Sequence, residues 1–405
     1  MKWLSDSTLI IISMILGIVC GLVFGPVMGK FKFLGDIFLR LIQMGVVILV
    51  IGAVIEAVGS LKMHDLGTIG IRTLVIFAIT TVLAALCGLM MVNIIQPGAG
   101  LPSIAGLQYK GLSPELNWAN LITNFFPRNA LAAMAEGSMI QVVAFSLIFG
   151  VALGLINQEP AGSRILQLVC DINAVIAKML SVVIKVAPIG VFALLGWVTG
   201  VIGLAVILPL AKFLLALFLG AILTYLGMVL PLCLLCRLNP ITFTRKLGRM
   251  GMIAFATTSA AVALPAEMED NEKLFGISER VNRLVAPLGM TLSSAGIALY
   301  LAVSCMTMYQ FFNLDMSFAS QFNIVVLSTL ATLGAAIGIP GGSLVALAVV
   351  FPPLGLPLEG IALLAGVDRF ADMIRTPMNV FCDVVAAVAV AASIGELDRD
   401  IFNAS

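Results

Sequence analysis

The stretch "SAAVALP" at Ser259–Pro265 is followed 75 residues later by a similar stretch, "GAAIGIP", at Gly334–Pro340. Each is a small residue, two alanines, a branched residue, another small residue, an aliphatic residue and a proline, and each interrupts a long apolar run. Proline lacks a backbone N–H and clashes with the preceding helical turn, so both runs are expected to be broken helices. In lipid such breaks are expected only where protein or a water-filled cavity covers the backbone. Paired breaks in a repeat are typical of a transporter's binding site, and two proline kinks in ordinary helices are the alternative.

The composition indicates that these runs lie in a membrane. Hydrophobic residues make up 61% of the chain and charged residues 11%, and the mean hydropathy is +1.14. Soluble domains are about 45–50% apolar and about 25% charged. The net charge is +1 and no basic cluster alternates with aromatic residues, so no nucleic-acid partner is expected. The chain is predicted to be an all-α polytopic membrane protein whose surface contacts lipid.

Apolar runs between Gly, Pro and charged residues predict the order of segments. The N-terminal run is interpreted as the first spanning helix rather than as a signal peptide, because it is too long and lacks a cleavage site. If both termini are cytoplasmic, Lys and Arg are more frequent in the cytoplasmic loops than in the loops on the other side of the membrane. This excess favours that orientation. Spanning segments are predicted near 8–28, 36–59, 69–95, 138–157, 168–198, 202–236, 281–307 and 359–394, and broken segments near 240–272 and 319–355.

Catalytic chemistry has little support in the sequence. His64 is the single histidine and lies in a charged loop, which argues against a histidine-based metal or hydrolase site. Cys233 and Cys236 form a C-x-x-C in an apolar run with no second pair nearby, and apolar packing explains them better than redox chemistry. No phosphate-binding G-x-x-x-x-G-K-[ST] motif occurs. The chain is expected not to be an enzyme and to need no organic cofactor.

The last apolar segment, "GVDRFADMIRTPMNVFCDVVAAVAVA" (366–391), carries the chemistry. Asp368, Asp372, Arg375, Asn379 and Asp383 are spaced by 4, 3, 4 and 4 residues. On a helix they fall within a sector about 80° wide. Charged groups at bilayer depth are rare and usually line an ion or substrate path. Three carboxylates against one guanidinium leave negative charge that needs a cation or a proton, whereas an internally neutralised structural pair is the alternative.

Residue chemistry suggests roles on this face. Arg375 offers a planar fork for a carboxylate, and Asp372 one turn earlier can receive an ammonium group. Asp383 with backbone carbonyl groups suits a hard cation. An amino acid with an extra acidic group fits such a pair. Four other acidic residues are predicted to lie in a solvated turn: Glu267, Glu269, Asp270 and Glu272. Two more, Glu56 and Asp171, have no evident partner.

These residues give the sequence a resemblance to the dicarboxylate/amino acid:cation symporter family, which includes the glutamate and aspartate transporters. "DRFADMIRTPMNV" (368–380) resembles the last-helix signature of that family, and it is the most specific match. Resemblance extends over essentially the whole chain, with further matches in "NFFPRNALAAMAEGSMIQVVAFSLIFGVALG" (124–154), "APIGVFAL" (187–194) and "GISERVNRLVAPLGMT" (276–291).

The resemblance implies a fold of eight transmembrane helices and two re-entrant helical hairpins near 240–272 and 319–355. It also implies a homotrimer in the bacterial inner membrane, with a static scaffold domain and a transport domain that moves like an elevator. The scaffold would comprise residues 1–68 and 97–200. The transport domain would comprise the third helix, 69–96, and residues 201–405.

The resemblance also assigns site residues. Asp372 would take the substrate amino group, Arg375 its side-chain carboxylate, and Thr376 and Asn379 its backbone end; dicarboxylate-specific relatives tend to lack an acid at Asp372. Asp368 would support this face. Further substrate contacts would come from Ser259, Ala260, Gly338 and Pro340 at the hairpin tips and from Ile297, and a cation site from Asp383, Asn379, Gly289, Ser293, Thr80 and Thr81.

Departures from the family pattern bear on coupling. The stretch "SSAGI" (293–297) has Ser294 and Ala295 where the family usually has methionine and aspartate, and Phe77 replaces a tyrosine. Losing a buried carboxylate predicts coupling to fewer sodium ions, to protons, or to none. The expected function is import of aspartate or glutamate coupled to Na⁺ or H⁺. Cystine or C4-dicarboxylate symport, or an uncoupled facilitator with an anion leak, are the alternatives.

Overall fold

The computed structural model describes residues 6–59, 69–99, 123, 126–136, 139–156, 160–202, 207–314, 316–332 and 342–404. In these ranges the chain is helical apart from connecting turns, and the only β contact is an isolated bridge between Ile277 and Leu397. The α-helices are α1 (Asp6–Phe24), α2 (Lys32–Gly59), α3 (Ile71–Ile95), α4 (Ala130–Glu136), α5 (Met139–Ile156), α6 (Pro160–Ile184), α7 (Ala187–Ile202), α8 (Ile207–Cys236), α9 (Pro240–Lys246), α10 (Gly248–Thr257), α11 (Ala260–Lys273), α12 (Glu279–Leu292), α13 (Ala295–Phe311), α14 (Phe318–Thr332), α15 (Gly342–Val350), α16 (Glu359–Ala365), α17 (Asp368–Ile394) and α18 (Arg399–Ala404).

Several of these elements are long and apolar enough to cross a membrane. Within the described ranges there are five such stretches, at Ile12–Phe38, Ile71–Ile95, Leu208–Cys236, Glu279–Phe311 and Asp368–Ile394. Large apolar side chains also cover the outer faces: Val23 is 69% exposed and Leu234 81%. A soluble protein rarely exposes contiguous apolar faces of this kind. The chain is therefore an integral membrane protein, as the composition predicted.

The first broken segment is interrupted within its predicted range. α10 ends at Thr257, its C-cap Thr258 has a left-handed φ of 52°, and Ser259 is the N-cap of α11. The Ser259 hydroxyl accepts a hydrogen bond of 3.4 Å from the Val262 N–H, which satisfies one of the unpaired donors of the first turn. "SAAVALP" is thus the start of a helix after a sharp turn. Its counterpart "GAAIGIP" (334–340) lies outside the described residues, between α14 and α15.

Three segments that the sequence predicted to be continuous are divided. The predicted helix near 359–394 is wrong in this respect, because a turn at Gly366–Val367 separates α16 from α17. The predicted helix near 168–198 is wrong, because a turn at Lys185–Val186 separates α6 from α7. Pro188 explains this break, since it cannot donate the N–H that a continuous helix would use. The predicted helix near 281–307 is also wrong: α12 ends before Ser293 and α13 begins after Ser294. The break between α12 and α13 lies beside the charged face of the last helix.

The helices pack as two groups. In one, α1 and α2 pack against α7, and α2 also packs against α5 and α6. In the other, α17 is surrounded by α3, α8 and the run from α10 to α13. All residues of α13 are buried, so this helix forms the centre of the second group. The division of the chain into scaffold and transport domains, and any movement between them, stay predictions.

Glu56, for which the sequence offered no partner, joins two helices of the first group. Its Oε2 atom accepts a hydrogen bond of 2.6 Å from Asn173 Nδ2, which links α2 to α6. Gly52 allows this close approach, because a Cβ atom there would lie 2.9 Å from Asn173 Oδ1. Asp171 is exposed and accepts a hydrogen bond of 3.0 Å from Gln167 in its own helix. Both acids therefore have structural partners.

Candidate functional site

The charged face of α17 is covered by protein along its whole length. The neighbouring helices exclude most solvent from it, whereas Phe370 on another face is 39% exposed. Burial of several ionisable groups on one helix is costly unless partners or ligands neutralise them. The buried polar residues of this face are Asp368, Asp372, Arg375, Thr376, Asn379 and Asp383, each 8% exposed or less.

Asp372 and Arg375 form an ion pair. Arg375 Nε donates a hydrogen bond of 2.6 Å to Asp372 Oδ1, and Nη2 contacts the same oxygen. The guanidinium carbon lies 5.1 Å from the centroid of the Tyr300 ring, a cation–π distance. Arg375 Nη1 is buried and has no hydrogen-bond partner among the described residues. A donor group of Arg375 is therefore available for a carboxylate, while Asp372 lies within reach of the same ligand.

Asp368 connects α17 to the helix that follows the second predicted tip. Its Oδ1 atom accepts a hydrogen bond of 2.6 Å from the hydroxyl of Ser343 in the first turn of α15. Asp368 thereby holds α15 against the charged face. Gly338 and Pro340, predicted as substrate contacts, precede α15 and lie outside the described residues.

Asn379 joins α17 to the break between α12 and α13. Its Oδ1 atom accepts a hydrogen bond of 2.8 Å from the Gly296 N–H, one of the donors that a helix start leaves unpaired. A Cβ atom at Gly296 would lie 2.3 Å from the Arg375 carbonyl oxygen, so only glycine fits there. Ile297 follows in the same turn and is 6% exposed. The start of α13 therefore lies directly against the middle of the charged face.

The residues around Asp383 fit a cation. Asp383 Oδ1 is buried without a hydrogen-bond partner among the described residues, and the hydroxyl of Ser293 lies beside the same carboxylate. A Cβ atom at Gly289 would lie 2.5 Å from Asp383 Cγ, so α12 approaches the carboxylate as closely as glycine allows. The end of α12 adds the partial negative charge of its last carbonyl groups. Buried oxygen atoms without donors are a suitable ligand set for a hard cation.

Thr80 and Thr81 are buried on α3, which packs against α12, α13 and α17. Both hydroxyls donate to the Phe77 carbonyl oxygen in their own helix, at 3.0 and 2.6 Å. Each hydroxyl oxygen keeps lone pairs that can accept or coordinate. Their assignment as cation ligands stays a prediction, as does that of Asn379.

At the first tip, Ser259 is partly exposed and Ala260 is buried. Arg369 of α17 donates a hydrogen bond to the Thr258 hydroxyl, which fixes this tip to the last helix. Ser259 uses its hydroxyl as a helix cap. Ala260 has no polar side-chain atom to offer. Backbone groups are therefore the main polar atoms that this tip can present to a ligand.

The prediction that the acidic residues after the first tip lie in a solvated turn is wrong for two of them. Glu267 is 1% exposed and Asp270 3%. Glu269 and Glu272 are partly exposed, as the prediction requires, and Lys273 and Arg249 donate hydrogen bonds to Glu269 and lower its pKa to about 2. Helical spacing was the available signal, because the buried residues of α11 lie on one face: Ala260, Ala263, Ala266, Glu267, Asp270 and Asn271.

Comparison with known proteins agrees with the resemblance. Residues 7–393 match the model of the sodium:dicarboxylate symporter family. The proton/glutamate-aspartate symporter of Bacillus subtilis (strain 168) is 33% identical over 390 residues, which cover 94% of this chain and 93% of the relative. The C4-dicarboxylate transport protein of the same strain is 31% identical over 402 residues, 96% of this chain and 94% of the relative.

A third relative, the proton/glutamate-aspartate symporter of Escherichia coli (strain K12), is 31% identical over 380 residues, 90% of this chain and 85% of the relative. The family match includes α17, with its buried charged face, and the helix break that lies against it. With nearly the whole chain matched, the protein belongs to the sodium:dicarboxylate symporter family.

Proposed function

We propose that this protein is a secondary active transporter that imports aspartate or glutamate together with a cation. The ion pair of Asp372 and Arg375 is the observation that carries the proposal. It offers one acid and one base within a single turn, both buried, with Arg375 Nη1 lacking a partner among the described residues. When a substrate with an ammonium group and an extra carboxylate binds, two ion pairs replace the internal one: Asp372 pairs with the ammonium group and Arg375 with the carboxylate.

The mechanism follows from what the residues can do. Arg375 binds the side-chain carboxylate, Asp372 receives the ammonium group, and Thr376 and Asn379 hydrogen-bond the backbone end. The cation lies at Asp383, one turn beyond Asn379. Asn379 belongs to both the substrate site and the cation site, and it also bonds the start of α13. Binding of either ligand therefore acts on this one residue. This sharing supports coupling between the two ligands.

The remaining parts of the proposal rest on family membership. The second group of helices would act as the transport domain and move as an elevator against the first group, with two re-entrant hairpins closing the site. The protein would form a homotrimer in the bacterial inner membrane with both termini in the cytoplasm. Ala295 supplies no carboxylate to the site, which favours coupling to few cations.

C4-dicarboxylate transport is the second candidate, because one relative is named a C4-dicarboxylate transport protein. The two substrates differ by an ammonium group, and Asp372 is the residue that would detect it. Succinate therefore gives the informative comparison with aspartate.

Asp372→Asn is expected to reduce the preference for aspartate over succinate by about tenfold or more, since hydrogen bonds to charged groups contribute about 1.5–3 kcal/mol. Competition of each compound with labelled substrate in proteoliposomes measures this ratio. Asp368→Asn is the matched control, because Asp368 bonds Ser343 and should leave the ratio unchanged. An unaltered ratio in Asp372→Asn would contradict the role of Asp372 and favour the dicarboxylate function.

A further inference from the structure

The buried carboxyl group of Glu267 in α11 takes no part in the mechanism proposed above. Glu267 is 1% exposed, and its Oε1 atom has no hydrogen-bond partner among the described residues. α11 packs against α12 and α17, and the Glu267 carboxyl is close enough to Asp383 to interact with it electrostatically. Two acidic groups from different helices are therefore buried near each other, and one of them, Asp383, lies beside Ser293 at the break between α12 and α13.

The basic side chains of the surrounding helices do not neutralise these two acids. Each one described on α10, α11, α12 and α17 is engaged with another group. Arg249 binds Glu269 and Asp270, Lys273 binds Glu269, Arg280 binds Glu396, Arg283 binds Glu279, Arg369 binds Thr258, and Arg375 binds Asp372. Two buried acids without a basic partner need a cation or a proton, and the ligand atoms around them decide which of the two fits better.

The oxygen atoms beside these two acids are suited to a metal cation. Asp383 Oδ1 and Asn271 Oδ1 are buried oxygen atoms with no hydrogen-bond partner among the described residues, Ser293 Oγ lies beside the Asp383 carboxylate, and the Asn271 side chain lies beside Glu267. Asn271 is fixed in place, since its Nδ2 donates a hydrogen bond of 3.0 Å to Asn282 of α12. Such an all-oxygen set, with the carbonyl end of α12 beside it, matches the ligands that hard cations prefer.

We propose that Glu267 is a second acidic ligand of the cation held at Asp383, so that this site takes a hard cation such as Na⁺ between carboxylates of α11 and α17. The inference rests on the proposed function only in taking this cation as the coupling ion.

Thermal unfolding of the purified full-length protein in detergent tests the inference without using transport. NaCl is titrated against choline chloride at constant ionic strength, and the Na⁺ concentration for half-maximal stabilisation is determined. Glu267→Gln is expected to raise this concentration by about tenfold or more, because it removes a charged ligand. In choline alone the same variant should unfold at the wild-type temperature or above it, because an unpaired buried charge is gone.

Glu269→Gln is the matched control. Glu269 lies on the same helix with a side chain 41% exposed, and it pairs with Arg249 and Lys273. Its replacement should leave the Na⁺ midpoint unchanged. If Glu267→Gln does not fold, Glu267→Asp takes its place; it keeps the charge but shortens the reach, and it too should raise the midpoint.

An equal Na⁺ midpoint in wild type and the Glu267 variant would overturn the inference. So would a wild type that is stabilised by acid but not by Na⁺, because the acids would then hold protons. Aspartate uptake by the same preparations separates the two claims. Absent uptake with Glu267-dependent Na⁺ binding contradicts the proposed function alone, and normal uptake with Glu267-independent Na⁺ binding contradicts the inference alone.

Discussion

Arg375→Ala is expected to weaken aspartate binding by about 100-fold or more. Removing one partner of a buried, hydrogen-bonded charge pair costs about 2–5 kcal/mol. The guanidinium is 5% exposed, sits against Tyr300 and has a donor nitrogen without a partner among the described residues, so water cannot replace it easily. Without Arg375, a side-chain carboxylate would enter a buried face that carries Asp372 and Asp368 and no compensating charge.

Binding to purified protein, measured by calorimetry with aspartate and serine, checks this result. A neutral amino acid lacks the side-chain carboxylate, and its binding should change much less than that of aspartate. Arg375→Lys keeps the charge but loses the planar fork, and an intermediate loss is expected. Arg280→Ala is the control, since that arginine is 75% exposed and pairs with Glu396. Wild-type aspartate affinity in Arg375→Ala would refute the role of Arg375.

Gly289→Ala is expected to raise the cation concentration needed for half-maximal uptake by about tenfold or more. The added methyl group would lie 2.5 Å from Asp383 Cγ and 2.6 Å from Oδ1, so the carboxylate must move. Forcing an extra carbon into a packed site costs about 1–3 kcal/mol, and here the displaced atom is the proposed cation ligand. Asp383→Asn, which keeps the shape and removes the charge, should have an effect in the same direction.

Uptake at a series of Na⁺ concentrations and pH values measures this effect. Gly248→Ala is a matched control, because a Cβ atom at Gly248 meets nothing within 4 Å. It should keep the wild-type cation dependence. If Gly289→Ala behaves like Gly248→Ala, the coupling cation does not bind at Asp383.

The sequence predicted best what a single helix determines. Asp368, Asp372, Arg375, Asn379 and Asp383 share one face because helical spacing alone sets their directions, and all are buried. The membrane location followed from composition in the same direct way. The first break was predicted in the right segment but for the wrong reason: it lies at Thr258–Ser259, whereas Pro265, which was expected to cause it, lies inside α11.

Features that depend on tertiary packing were missed. The break at Ser293–Ser294 lies in an apolar stretch, and its new helix start is supported by Asn379, 83 residues away. Glu267 lies among charged residues, and only the covering helices α12 and α17 make it buried. Asn173 and Glu56 are 117 residues apart in sequence, and only the packing of α2 against α6 brings them together.

Accumulation of labelled aspartate in proteoliposomes, under inward Na⁺ and proton gradients imposed one at a time, tests the central claim most directly. A coupled carrier is expected to concentrate aspartate above the external level with at least one gradient and to stop when that gradient is collapsed by an ionophore. With a single cation at Asp383, the dependence on the driving ion should be shallow. Aspartate that only equilibrates with the external solution under both gradients would contradict coupled transport and identify an uncoupled facilitator.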